Sequence, residues 1–191
     1  MKKIIIIILL FSTLTSGAQT HRELFRGGMF LHTGYVKNHL DYPNINGMVS
    51  GIGGKITFRL GNHFRAGTEG YVSNYGYGQN EGQYKLGWGG LLAEYQFSNK
   101  RFTPVAGVTF GGGKVHDLYM LGGNFTDNEP DEAIYKTYSS AIVNPHLSVE
   151  YSISDHINLV GKIDNIFYLS SRANNNLAKG TRIYFGILFM R

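Results

Sequence analysis

The chain has 191 residues, 42% of them apolar and 14% aromatic, with 26 glycines, four prolines and no cysteine. This is enough apolar material for one ordered domain and excludes a disordered tail, and the lack of cysteine excludes a disulfide framework. The formal net charge of +5 is mild and dispersed along the chain, which excludes nucleic acid as a partner on electrostatic grounds.

The first segment, "MKKIIIIILLFSTLTSGAQT", has the parts of an export signal. Lys2-Lys3 form a basic start, Ile4 to Phe11 an apolar run, and Ser16-Gly17-Ala18 a small-residue cleavage site. The apolar run is shorter than the ~20 residues a spanning helix needs. The spacing predicts a signal peptide over 1–18 and a mature domain over 19–191. Its loss removes two lysines, so the mature charge is 16 − 13 = +3.

Beyond Gln19 no helical period is sustained over a domain-sized stretch. Apolar and polar residues alternate instead, which predicts eight strands over 24–37, 48–60, 63–75, 83–97, 102–115, 137–152, 157–169 and 180–191. The links at 61–62, 98–101 and 154–155 are tight turns. Those at 38–47, 76–82, 116–136 and 170–179 are longer and rich in Asn, Gly and Asp. Short and long links therefore alternate, the plan of an all-β, eight-stranded antiparallel up-and-down transmembrane barrel.

Residues two apart on a strand share a face. One face is apolar throughout, from Phe25, Met29 and Leu31 through Leu147, Val149 and Tyr151 to Ile183, Phe185, Ile187 and Phe189. The other carries Arg26, His32, Lys55, Arg59, Arg65, Glu69, Tyr71, Glu94, Gln96, His146, Glu150, Lys162, Asp164 and Arg182. Aromatics crowd the strand ends beside the short turns (Phe25, Phe58, Phe64, Tyr95, Phe97, Phe102, Tyr151, Phe189), where an interfacial girdle would lie. Both charge signs on the polar face suit an eight-stranded lumen filled by side chains. The apolar face is thus expected outward, in lipid, and a charged network inward. Trp88 falls on the inner face by parity, and a bulge at Gly89-Gly90 is expected to turn it outward. The runs "GIGG" and "FGGG" match no phosphate loop and read as thin places in the wall that make room for lumen side chains.

Signal, strands, alternating links and inverted faces together resemble the small outer-membrane β-barrel proteins of the OmpA/OmpX-like class, and the "GAQ" site resembles exported proteins of Bacteroidota-type bacteria. The resemblance implies a Gram-negative outer-membrane location, contact with outer-membrane lipid and lipopolysaccharide, and assembly by the barrel-insertion machinery. The chain departs from the class in ending on Phe189-Met190-Arg191 rather than on an aromatic residue.

"NPHLSVEYSISDH" places His146, Ser148 and Glu150 on one face, the residue types of a hydrolytic triad. Same-face neighbours lie ~7 Å apart along a strand, too far for direct hydrogen bonds without leaning side chains. The His-x-Ser spacing also matches the outer-membrane lipid A deacylase, but Val149 stands where that enzyme has Asn, and parity turns His146 and Ser148 away from lipid. A lipid A palmitoyltransferase is disfavoured because no helix-forming segment follows the signal. Asp127, Glu129, Asp131 and Glu132 cluster in one link without EF-hand spacing, and they read as a solvated acidic loop before a metal site. No cofactor is predicted.

The function expected is a membrane-anchored structural or surface-binding scaffold, not an open pore, with 116–136 as the surface for an extracellular ligand. The alternatives are a lipid A-modifying enzyme, a narrow channel, and a secreted, soluble lipocalin-like binding barrel, which would carry its apolar face inward.

Overall fold

Period-two patterning produces extended backbone along nearly all of the chain that the computed structural model describes, residues 24–37, 45–77, 82–97, 101–121, 132–169 and 178–191. The strands are β1 (Phe25–Lys37), β2 (Asn46–Leu60), β3 (Phe64–Tyr77), β4 (Gly82–Gln96), β5 (Phe102–Leu121), β6 (Glu132–Ser154), β7 (Ile157–Asn165), β8 (Phe167–Tyr168) and β9 (Lys179–Met190). β7 and β8 form a single stave interrupted at the buried Ile166, so nine strands make eight staves. Each is antiparallel to its neighbours. β1 pairs with β9 and β5 with β6, so the sheet closes on itself. At the seam the Phe25 N–H donates to the Arg191 carbonyl at 3.2 Å, and the Arg191 N–H returns the bond at 3.0 Å. Closure leaves no free sheet edge in the wall, the condition for a sheet to cross a bilayer.

The residues read as the export signal lie outside the described residues. So do Asp127, Glu129 and Asp131, while Glu132 opens β6 opposite Leu121.

The structure corrects the sequence reading in four places. The β2–β3 turn has three residues, Gly61 to His63, rather than two. Leu60 and Phe64 are register partners that both face outward, which requires an odd count, and Gly61 supplies the left-handed conformation (φ 85°) that the turn needs. The β6–β7 turn is Asp155-His156, one residue later than the expected 154–155. A bulge between Ser152 and Ser154 absorbs the odd residue, and His146 faces Asp164. Of the link expected over 116–136, residues 116–121 and 132–136 are strand, since β5 and β6 pair continuously out to Leu121 and Glu132, and 122–131 lie outside the described residues. Trp88 stays inside, only 4% exposed. No bulge turns it, because the register runs unbroken through Gly89-Gly90 on both sides, Tyr71 facing Trp88 and Trp88 facing Gly113.

The faces are inverted relative to a soluble protein. Met29, Leu31, Leu91, Phe110, Leu147 and Phe185 are exposed on the outside, while Lys55, Arg65, Glu94, Glu150 and Lys162 are buried. Around the short-turn end the exposed rings touch one another, Phe25 with Phe58 at 5.5 Å and Phe64 with Tyr95 at 5.1 Å, in the manner of an interfacial girdle. Glycines open space on the inner face. A Cβ on Gly51 would lie 2.4 Å from the His32 ring and one on Gly107 2.4 Å from the His146 ring, so both imidazoles occupy space that a side chain there would fill.

Candidate functional site

Parity and register deliver the charged side chains to a lumen narrow enough for them to bond across it rather than along the wall. Nearest the short turns, Glu150 is fully buried and gathers cations from three strands. The Arg65 guanidinium (β3) lies 2.9 and 3.1 Å from its two oxygens, Arg26 (β1) donates at 2.9 Å, and the Lys55 ammonium (β2) stands 3.7 Å away. Glu94 (β4) accepts from Lys55 at 2.6 Å, faces Arg65 Nε at 3.3 Å, and meets His146 Nε2 at 3.2 Å. Three fixed cations therefore share two carboxylates, with the imidazole at the side.

A second group lies beside it. Lys162 (β7) donates to Glu69 (β3) at 2.6 Å and stands 3.8 Å from Asp164, and Thr109 donates to the other Glu69 oxygen at 2.5 Å. Asn144 donates to Asp164 at 2.8 Å. The Lys162 ammonium sits among three rings, 4.9 Å from the Tyr71 and Tyr184 centroids and 5.6 Å from that of Trp88. Ring faces stabilise a desolvated cation electrostatically, so the inward Trp88 has a physical reason to be there. His32 pairs with Ser73 at 2.7 Å and packs against Tyr184. Toward the long-loop end the lumen turns apolar: Val36, Val49, Leu86, Val115, Ile142 and Ile166 are buried around Tyr84 and Tyr168, whose hydroxyls bond the Ala178 backbone. Arg182 is buried opposite Asp164 in register, and Arg59 is half-buried near the short turns.

The three triad-like residues do not join one another. His146 bonds Glu94, Glu150 bonds Arg26 and Arg65, and the buried Ser148 hydroxyl has no hydrogen-bond partner. Ser148 therefore lacks the adjacent base that nucleophilic catalysis requires. Among the described residues no cluster has the makings of a metal site. Parity identified which charges turn inward but missed Thr109, Asn144 and the Trp88–Tyr184 cage. Thr109 reaches Glu69 past the intervening β4 and Lys162 reaches Trp88 across the bore, contacts that only the closed barrel brings together.

These orientations predict a labelling pattern. In lipid-reconstituted protein, Leu147→Cys should react with a bilayer-partitioning thiol reagent and Ser148→Cys should not, because their register partners Ile163 and Lys162 lie outside and inside the wall. The reverse pattern would place Ser148 toward lipid and reopen acyl hydrolysis.

No family model matches the chain, and no curated protein matches its sequence. Solved structures do match in shape. Ail, the attachment invasion locus protein of Yersinia pestis, superposes with a TM-score of 0.59 at 9% identity, over 89% of this chain and 100% of that one. The same protein in complex with the heparin analogue sucrose octasulfate gives 0.60 at 11%, with coverage of 89% and 100%. Neisserial surface protein A gives 0.58 at 14%, covering 87% of this chain and 97% of that one. With its closed eight-stave wall, apolar exterior and charged interior, the chain has the fold of the small eight-stranded outer-membrane β-barrels.

Proposed function

We propose that this protein is a membrane-anchored scaffold of the Gram-negative outer membrane, closed to solutes, whose work is done at the long-loop end. The observation that carries the reading is the filled lumen. Lys55, Arg65, Glu94 and Glu150 bond across the bore on one level, and an apolar plug around Tyr84 and Tyr168 stands above it. A bore occupied in this way has no aqueous path for solutes. The paired hairpin of β5 and β6, 20 and 23 residues long, is far longer than the ~9–11 residues that cross a bilayer. Its outer part would rise above the membrane as the contact surface for an extracellular ligand. The chain would enter the membrane through the insertion machinery after loss of residues 1–18.

Two measurements test this. Planar bilayers containing the purified protein should show no porin-like unitary conductance, and regular open steps would sink the closed-scaffold reading. Lipid A mass spectra from cells with and without the gene should be identical. Loss of an acyl chain in its presence would instead favour the deacylase-like alternative, with His146 and Ser148 as its residues.

A further inference from the structure

We propose that the outward face of β4–β6 binds a phosphate-bearing lipid, with its phosphate on Lys85 and Lys114 and one acyl chain in a trough below them. The inference rests on the outer-membrane reading with the long loops outside, and it names a lipid partner for that barrel.

The trough comes from an interruption of the apolar band. Elsewhere the exterior carries large side chains such as Leu91, Phe110 and Leu147. In one row across the sheet it carries almost none: Gly54 faces Gly70, Gly70 faces Gly89, Gly89 faces Gly112, and Gly112 faces Ala141. Beside this row lies a cavity of about 560 Å³ lined by Gly87, Gly89, Gly112, Lys114, Ser139 and Ala141 among others. A flat wall of this kind admits a hydrocarbon chain close to the backbone.

The cations stand directly above it. Lys114 faces Gly87 and Ser139 in register, and Lys85 faces His116. The two lysines are therefore diagonal neighbours, ~7 Å apart along the sheet. Both point outward, and His116 is fixed by a hydrogen bond to Tyr135 and by stacking on its ring. Among the described outward-facing residues of β3–β6 at this level, Asn74, Gln83, Thr137 and Ser139 are neutral, and none is a carboxylate. Among the described residues positive charge is thus concentrated on this face.

Height decides what meets it. Lys85 is ten residues above the girdle residue Tyr95 on β4. At a rise of ~3.3 Å per residue and a tilt of ~40° this is about 25 Å, the full thickness of the apolar band. The lysines sit where lipid headgroups begin, and a phosphate there complements them while its acyl chain hangs into the trough. A second lysine pair, Lys37 facing Lys179, lies at a similar height on β1 and β9. Below it stand Tyr35, Ile183 and Phe185, which are exposed and bulky. That pair has the charge with the bulky Tyr35 and Ile183 close beneath it in place of a glycine row, and serves as an internal control.

The test uses purified full-length mature protein in detergent, offered bis-phosphorylated lipid A or the same lipid after dephosphorylation, with retained lipid counted by native mass spectrometry. Wild-type protein should prefer the phosphorylated lipid by at least about tenfold, the scale that two interfacial lysines supply. K85Q/K114Q should lose that preference and K37Q/K179Q should keep it. Gly87→Leu, where a Cβ meets open space, should fill the trough and lower retention of both lipids. Heat-dependent gel mobility confirms that each variant is folded. Equal retention of the two lipids by wild type, or an unchanged preference in K85Q/K114Q, overturns the site. A separate arm labels Lys114→Cys on intact cells with an impermeant maleimide. Labelling supports the outer-leaflet placement, and failure to label overturns that placement independently of the lipid preference in detergent.

Discussion

Glu150→Gln should destabilise the folded barrel by about 3–5 kcal/mol, the range for breaking a buried ion pair by removing one partner. The carboxylate is fully buried, and Arg26, Arg65 and Lys55 all approach it. Without its charge Lys55 and Arg65 share the carboxylate of Glu94 and Arg26 loses the carboxylate it donates to, in a space where their mutual repulsion is weakly screened. Urea unfolding of vesicle-reconstituted protein reads the loss, with Ser148→Ala as the comparison two residues away on the same face. Ser148 has no hydrogen-bond partner, so alanine breaks no bond and removes the desolvation cost of a buried hydroxyl, and that variant should be at least as stable as wild type. Similar small effects from both substitutions would mean that the ion pairs do not hold the interior. A large effect from Ser148→Ala alone would give that hydroxyl a role that its surroundings do not explain.

The contrast between these two neighbours marks how far the sequence was legible. Alternation assigns a side chain to a face, because the strand period is two regardless of what surrounds it. Arg26, Lys55, Arg65, Glu69, Glu94, Glu150 and Lys162 are therefore assigned inward by the sequence alone. Alternation does not say which inward residues meet. Lys55 faces Glu69 in register but donates its hydrogen bond to Glu94, and Glu69 accepts from Lys162, 93 residues away in the chain. Those choices follow from tilt and stagger, which act on the closed barrel as a whole.

Trp88 was misread for a related reason. An aromatic ring on a polar face looks misplaced until a buried lysine is found that needs it. The lengths of β5 and β6 were underestimated because alternation is a signal of contrast. Below the rim one face meets lipid and the other a packed lumen. Beyond it the residue types on the two faces, such as His116 and Asp117 or Lys136 and Thr137, no longer differ sharply. The pairing continues nonetheless, carried by backbone hydrogen bonds that leave no trace in hydropathy.

Leu31→Arg should cost about 2–4 kcal/mol in a bilayer, the range for a basic side chain near the midplane of a lipid-facing barrel wall. Leu31 is 66% exposed and lies between Ile52 and Phe185, both exposed. It stands six residues above the girdle residue Phe25 on β1, or roughly 15 Å along the barrel axis. Thr181→Arg on β9 makes the matched comparison. Its side chain is also exposed, but it lies eight residues from Phe189, roughly 20 Å up and close to the loop-end interface, where the same range falls to about 0–1 kcal/mol. The expected result is a depth-dependent difference between two outward arginines, measured by urea unfolding from lipid vesicles. On a barrel whose exterior meets water, both substitutions would act at exposed positions and both would stay within about 0.5 kcal/mol of wild type. Equal small effects would therefore overturn the inversion of faces, and with it the membrane placement. A steep difference is what an exterior solvated by hydrocarbon requires, because arginine at the interface can reach headgroups and water while arginine at mid-depth can do so only by deforming the bilayer.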